Sequence, residues 1–193
     1  MSVNIILAST SPYRRALLQQ LKLPFECQNP FTDEALLENE TAANAAYRLA
    51  GLKAQAVASK NPDSIVIGSD QLATCEDSIL GKPGSHEQAI QQLQSMAGKT
   101  ITFHTGLCVI FGNQRHQLVE AYQVQMRPLT SKQIENYLLT EQPYNCAGSF
   151  KSEGLGITLF NGMQGKDPNT LIGLPLISLT SILNDLGQGP LGG

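Results

Sequence analysis

Short apolar runs alternate along this 193-residue chain with longer segments in which apolar residues recur every three or four positions. The runs at residues 4–8 (NIILA) and 64–68 (SIVIG) are short and rich in β-branched residues, so they predict buried strands. Residues 100–111 and 118–127 predict two longer strands. Strands that alternate with helices in this way are typical of an α/β domain.

The helical segments carry start and stop signals. Ser11 is placed to cap a helix whose first position is Pro12, Thr130 to cap a later one, and Gly187 to end the last. Besides the helix that begins at Pro12, helices are predicted over residues 41–60, 86–96, 130–139 and 176–186. Because no repeat or long linker interrupts the pattern, the sequence predicts a single domain over residues 1–193 with two lobes.

Composition narrows the class of protein. Hydrophobic residues make up 41% of the chain, enough for a core, and the formal net charge is −3. An acidic chain argues against nucleic acid or an anionic membrane surface as the partner. The N-terminus lacks the pattern of a signal peptide, no apolar run reaches the ~18 residues that would indicate a membrane span, and the cysteines are scattered. We therefore expect a cytoplasmic protein without a structural metal cluster.

The junction between the first strand and the first helix is a candidate phosphate site. Ser9 lies at the end of the strand and Arg14 in the first turn of the helix. A helix N-terminus offers unpaired N–H groups, and a guanidinium can bind phosphate through two hydrogen bonds. A capped surface helix with solvated arginines explains the same residues, so both interpretations stay open on this evidence alone.

Acidic residues occur at two places where they could meet a ligand. Asp70 follows the apolar run 64–68, and the carboxyl end of a strand is where an open α/β sheet binds ligands. Its carboxylate could bind Mg²⁺ or Mn²⁺, or accept a proton from an attacking water. Asp33 and Glu34 follow a Pro-Phe-Thr loop and could hold a divalent metal. The alternative in each case is an ordinary polar turn or loop.

Two lysines are candidates for neutralising phosphate charge. Lys82 lies between Gly81 and Pro83 and is therefore presented on a constrained loop. Lys53 lies within the predicted second helix, where lysines are usually solvated, so its signal is weaker.

Taken in order, these segments resemble the Maf family of nucleotide pyrophosphatases. The match begins at residues 7–18 (LASTSPYRRALL) and spans nearly the whole chain. The other matching motifs are Asp33-Glu34, Arg48-Leu49-Ala50 with Lys53, Gly68-Ser69-Asp70, Gly81-Lys82-Pro83, Ala147-Gly148-Ser149 and Ile172-Gly173-Leu174-Pro175.

The resemblance implies both a fold and a mechanism. It implies an elongated mixed sheet with helices, related to the inosine-triphosphate pyrophosphatases, with two lobes around a central cleft and a homodimeric assembly. It also implies a divalent cation, Mg²⁺ or Mn²⁺, as cofactor. The implied roles are triphosphate binding for Ser9, Arg14, Lys53 and Lys82, metal binding for Glu34 and Asp70, and general base for Asp70.

Within the family, the chain resembles the YceF-like subfamily, which acts on 7-methyl-GTP. Three positions carry this closer resemblance: Tyr13, where that subfamily usually has Trp, Gln71 and Glu153. An aromatic face attracts the positive ring of N7-methylguanine, and a carboxylate can accept hydrogen bonds from the N1–H and N2–H edge. The resemblance therefore implies that these three residues select the base.

Two other functions remain open at this point. A Maf enzyme of broader range would act on dTTP, UTP or other nucleotides. A non-catalytic regulator of cell division would bind nucleotide or nucleic acid and would release no pyrophosphate.

Overall fold

The described residues, 3–76 and 78–192, are built around one mixed β-sheet in the computed structural model. Its strands are β1 (Ile5–Leu7), β2 (Glu26–Cys27), β3 (Ile65–Cys75), β4 (Ser78–Leu80), β5 (Thr100–Phe111), β6 (Gln114–Met126) and β7 (Phe160–Gly165). The strand order is β2-β1-β3-β5-β6-β7, with β4 paired to β3. Strands β1, β2 and β3 run parallel, whereas β4 and β7 pair antiparallel to their neighbours.

Helices connect these strands. They are α1 (Pro12–Gln19), α2 (Ala42–Ala58), α3 (His86–Met96), α4 (Ser131–Glu141), α5 (Asn169–Ile172) and α6 (Leu176–Asp185), with short 3-10 turns at Ala147–Ser149 and Leu155–Leu159. The predicted caps are confirmed, since Ser11 accepts from the N–H of Arg14 and Thr130 forms a capping box with Gln133. None of the helices in the described part of the chain is long and apolar enough to cross a membrane.

The chain divides into two compact units. The first unit is Met1–Gln71, His104–Glu120 and Asp167–Gly193, and the second unit is Leu72–Phe103 and Ala121–Lys166. The α/β fold class is confirmed. The assignment of residues 1–193 to a single domain stays a prediction.

The prediction that the second buried strand ends before Asp70 is wrong. Strand β3 continues to Cys75, because its outer half pairs with β4 from Ala73 to Cys75. The parallel partner β1, however, stops at Leu7 opposite Ile67. Asp70 therefore lies within β3 but just beyond the carboxyl end of the neighbouring β1, which preserves the physical reason for expecting a ligand there. The short strands β2, β4 and β7 and helix α5 were not predicted.

The core of the first unit covers both faces of β1, β3 and β5. Alternate residues of a strand point to opposite faces, and on one face strand residues such as Ile65 and Ile67 pack with α1 and α6. On the other face Val66 packs with the small side chains of α2, among them Ala50 and Ala54. Burial on both faces explains why β1 and the start of β3 are continuously apolar.

Helix α2 lies unusually close to the sheet. A Cβ atom added to Gly68 on β3 would lie 2.6 Å from the backbone N of Ala54, and one added to Gly106 on β5 would overlap the carbonyl group of Ala46. Only glycine permits such an approach. The contact brings Lys53 of α2 against the part of β3 that carries Asp70.

We expect Gly68→Ala to lower the free energy of unfolding by about 2 kcal/mol, because the added methyl group must push α2 off the sheet. Urea denaturation measures this change. Gly81→Ala is the matched control, since among the described residues no atom beyond its two chain neighbours lies within 4 Å of a Cβ at that position. Equal stability of the two variants would contradict the close packing of α2.

Candidate active site

The strand-to-helix junction after β1 forms a tight polar turn. Ser9 is buried, and its hydroxyl oxygen accepts from the N–H of Ser11 at 3.1 Å. The hydroxyl oxygen of Ser11 accepts in turn from the N–H of Arg14 at 3.4 Å. Ser9 and Arg14 are thus presented together at the N-terminus of α1, where the helix dipole stabilises an anion.

Arg14 is held by a backbone carbonyl far away in sequence. Its Nε donates to the carbonyl oxygen of Gly173 at 2.9 Å, which orients the guanidinium. Burial lowers the pKa of Arg14 from its ordinary value, while the carboxylates of Asp70 and Glu34 act in the opposite direction. An arginine stays protonated in proteins, so this side chain supplies a partly desolvated positive charge beside the two carboxylates.

Lys53, Asp70 and Glu34 form one ionic cluster. The Lys53 ammonium lies 2.5 Å from Oδ1 of Asp70 and 2.8 Å from Oε1 of Glu34. The Lys53 and Asp70 side chains are only 6% and 10% exposed, whereas Glu34 is 58% exposed. A buried lysine requires such partners, so the expectation that helix lysines are solvated does not hold at this position.

The loop that carries Glu34 is fastened by a residue to which the sequence assigned no role. Arg48 on α2 donates to both oxygens of Glu40, at 2.7 and 2.6 Å, and to the carbonyl of Ala35 at 3.0 Å. This bidentate hydrogen bonding raises the pKa of Arg48 and lowers that of Glu40. The Arg48–Glu40 pair therefore holds the segment on which Glu34 reaches Lys53.

Gln71 is anchored by acceptors that sequence reasoning missed. Its Nε2 lies 2.9 Å from Oγ1 of Thr105, 2.7 Å from the carbonyl oxygen of Thr170 and 3.1 Å from that of Leu171. The hydroxyl of the neighbouring Ser69 lies 2.9 Å from the carbonyl oxygen of Gly173. The carbonyl oxygen of Gly106 also lies 2.8 Å from the Ser69 hydroxyl. Two of the acceptors around Gln71 and both of those around Ser69 are backbone carbonyls, so no pattern of side chains in the sequence indicates them.

The remaining predicted residues lie on exposed positions. Tyr13 is 40% exposed in the first turn of α1. Lys82 is exposed on a loop of the second unit, which is tied to the 3-10 turn at Ala147–Ser149 by a hydrogen bond from Gly148 N to Gly81 O at 3.4 Å. Glu153 is exposed on another turn of the second unit, next to Gly154.

The turn that carries Glu153 is built around Glu141. The Glu141 carboxylate accepts from the N–H of Leu155 at 2.9 Å and lies 3.6 Å from the Lys151 ammonium. A Cβ at Gly154 would lie 2.8 Å from the same carboxylate, so a larger residue there would displace the Glu141 side chain. The predicted site residues are divided between the two units. Lys82 and Glu153 belong to the second unit, and the others belong to the first: Ser9, Tyr13, Arg14, Glu34, Lys53, Asp70 and Gln71.

The donor set at the ionic cluster suits a hard cation. Among the described residues no three His, Cys, Asp or Glu side chains gather as a metal site. The carboxylates of Glu34 and Asp70 nevertheless share one positive charge, the Lys53 ammonium. Mg²⁺ is commonly held by one or two carboxylates together with substrate phosphates, so these two residues fit the cation that the sequence led us to expect.

The sheet order and helices define an α/β protein of the fold seen in a HAM1 protein from Coxiella burnetii. The two structures superpose with a TM-score of 0.50 over 95% of this chain and 99% of that one, at 13% identity, which is a likeness of fold alone. The chain belongs to the Maf family, because the model of the Maf-like proteins matches residues 4–186.

Two other proteins are much more similar to this chain in sequence than the Coxiella burnetii protein is. A protein from Colwellia psychrerythraea is 52% identical over 187 residues, 95% of this chain and 93% of its own length. A protein from Nitrosococcus oceani is 52% identical over 186 residues, 95% of this chain and 94% of its own. Both are named 7-methyl-GTP pyrophosphatase.

We expect Lys53→Met to lower the free energy of unfolding at neutral pH by about 3 kcal/mol, because it leaves the buried Asp70 carboxylate without its counter-ion. The double variant Lys53→Met/Asp70→Leu removes both charges and should recover part of that loss. Urea denaturation of the three proteins measures both effects. A double variant less stable than Lys53→Met would contradict the dependence of Asp70 on Lys53.

Proposed function

We propose that this protein hydrolyses 7-methyl-GTP to 7-methyl-GMP and pyrophosphate. Two findings support this reaction. The chain belongs to the Maf family, and two relatives that are 52% identical to it in sequence are named 7-methyl-GTP pyrophosphatase. The observation in the structure that carries the proposal is the cluster in which Lys53 joins Asp70 and Glu34, with the Arg14 guanidinium nearby. Carboxylates beside a buried ammonium and a half-buried guanidinium are suited to bind a triphosphate together with a divalent cation.

Glu34 and Asp70 are the residues that would hold Mg²⁺ or Mn²⁺. The bound cation would neutralise phosphate charge and stabilise the charge that develops in the transition state. Lys53 donates to Oδ1 of Asp70, and among the described residues no hydrogen bond engages Oδ2, which is thus available to a water molecule or to the cation.

The reaction is an attack of water on the α-phosphorus. Asp70 accepts a proton from the water while its oxygen bonds to phosphorus, and the bond to the bridging oxygen of pyrophosphate breaks. Ser9, Arg14 and Lys53 hold the triphosphate in line, and Lys82 neutralises the departing pyrophosphate. Most of the rate in this scheme comes from charge stabilisation and positioning.

Three residues would select the base. Tyr13 offers an aromatic face to the positively charged ring of N7-methylguanine. Glu153 offers a carboxylate to the N1–H and N2–H edge, and Gln71 contributes a side-chain amide. We also propose that the protein acts in the cytoplasm as a homodimer. Its role there is to remove modified nucleotides before polymerases can use them.

Pyrophosphate release from 7-methyl-GTP, GTP, dTTP, UTP and CTP, with Mg²⁺ or with Mn²⁺, tests the reaction. We expect strong preference for 7-methyl-GTP, loss of activity with EDTA, and a kcat that is 10²-fold or more lower in Asp70→Asn, because a positioned general base contributes about 10²- to 10⁴-fold. Asparagine keeps an oxygen acceptor for Lys53, so nucleotide binding should persist in this variant.

The outcomes separate the candidate functions. Preference for dTTP or UTP would keep the family reaction and overturn the substrate. Release from no nucleotide, together with salt-sensitive nucleic-acid binding, would favour the regulator. Near-normal turnover by Asp70→Asn would remove Asp70 from the chemistry.

The role of Tyr13 has its own test. We expect Tyr13→Leu to lower the ratio of kcat/KM for 7-methyl-GTP over GTP by roughly fivefold or more, because the cation–π attraction of about 1 kcal/mol or more is lost. Tyr13→Phe keeps the aromatic face and is the matched control. If both variants lower the ratio equally, the hydroxyl rather than the ring makes the distinction.

A further inference from the structure

Asp167 is a buried carboxylate whose oxygens are both engaged by N–H donors. It is 0% exposed, and its Oδ1 accepts from the backbone N–H and from the side-chain Nδ2 of Asn169, both at 2.8 Å. Its Oδ2 accepts from the backbone N–H of Ile177 at 2.8 Å. One carboxylate thus joins the two ends of the segment 167–177.

Helix α6 depends on this carboxylate for its cap. The residue at its N-cap position is Pro175, which makes no side-chain hydrogen bond, and the first turn contains no acidic residue. The N–H groups at the start of a helix need acceptors from elsewhere. Asp167, ten residues before Ile177, supplies one and also closes the turn at the start of α5.

The segment that Asp167 closes presents backbone carbonyls to the site residues. The carbonyl of Gly173 accepts from Arg14 Nε, and those of Thr170 and Leu171 accept from Gln71 Nε2. Gly173 has a φ of +124°, a conformation reserved for glycine, and it turns its carbonyl at this point.

These carbonyls decide which end of the Gln71 amide is anchored. A carbonyl oxygen can only accept, so the group that faces Thr170 and Leu171 must be the NH₂ of Gln71. The Thr105 hydroxyl donates to the carbonyl of Thr170 at 2.8 Å and can therefore only accept from Gln71. Within the part of the chain that the structure describes, the Oε1 of Gln71 makes no hydrogen bond, so it is left as an acceptor for a ligand.

We propose that Asp167 is a positioning residue for the nucleotide site. It fixes the segment 167–177, whose carbonyls orient the Arg14 guanidinium toward phosphate and turn the Gln71 amide so that its oxygen accepts from the donor edge of the purine. This inference rests on the proposed function for its ligand, but the link from Asp167 to Gln71 is a property of the protein alone.

Asp167→Asn tests the effect on selectivity. The amide replaces one acceptor oxygen by an NH₂ group that faces N–H donors, so the segment must rearrange. Donors on the positively charged N7-methylguanine form stronger hydrogen bonds than the same donors of guanine. Loss of the Gln71 acceptor therefore costs 7-methyl-GTP more, and we expect the ratio of kcat/KM for 7-methyl-GTP over GTP to fall fivefold or more. This ratio, measured on one preparation, does not depend on the fraction of active enzyme, so lost stability alone leaves it unchanged.

Thr130→Ala is the matched control, because it removes the cap of α4 without touching any residue of the site. It should lower Tm and keep the ratio of wild type. A ratio in Asp167→Asn within twofold of wild type, at a lower Tm, would overturn the proposal and make Asp167 a structural cap only. If Asp167→Asn does not fold, Asn169→Ala, which removes one donor, should lower the ratio in the same direction, and an unchanged ratio would overturn the proposal.

A second readout does not need the reaction. The side-chain NH₂ signals of Gln71 in a nitrogen–proton NMR spectrum are assigned by their absence in Gln71→Leu. They should shift in Asp167→Asn and stay in place in Thr130→Ala. Unchanged signals in Asp167→Asn would overturn the link to Gln71, whereas failure of wild type to release pyrophosphate from any nucleotide would overturn the proposed function and leave this test intact.

Discussion

The ammonium of Lys53, shared between Asp70 and Glu34, is the interaction on which the site depends. A buried ammonium is stable only beside anionic partners, and the buried Asp70 carboxylate in turn needs a cationic one. The triad exists because α2 approaches the sheet at Gly68 and Gly106, where a larger residue would collide with the helix backbone. Close packing of an alanine-rich helix therefore places the Lys53 ammonium beside the Asp70 carboxylate.

Backbone carbonyl groups orient several of the side chains around this ionic cluster. The carbonyls of Thr170, Leu171 and Gly173 hold side chains from β3 and α1. Carbonyls on a fixed segment keep their direction and cannot change protonation, so they impose one orientation on an amide or a guanidinium. Arg14 and Gln71, which the sequence identifies as candidates, are thus oriented by backbone carbonyls, and no pattern of side chains in the sequence predicts these contacts.

Much of the fold and part of the site could be predicted from the sequence. The caps at Ser11 and Thr130 are local hydrogen bonds between residues three apart, and the structure confirms them. The end of the second buried strand was placed too early, because its extension to Cys75 depends on pairing with β4. The burial of Lys53 also could not be predicted, because its partners lie on a distant loop and a strand.

The sequence by itself determined the alternation of strands and helices, the helix caps and the set of motifs that place the chain in the Maf family. These properties depend on residue type and on neighbours within a few positions. Only the tertiary structure decided that Lys53 meets Asp70 across 17 residues, that Gln71 meets Thr170 across 99 and that Arg14 meets Gly173 across 159. Contacts at such separations are set by the packing of helices on the sheet, which the order of residues does not display.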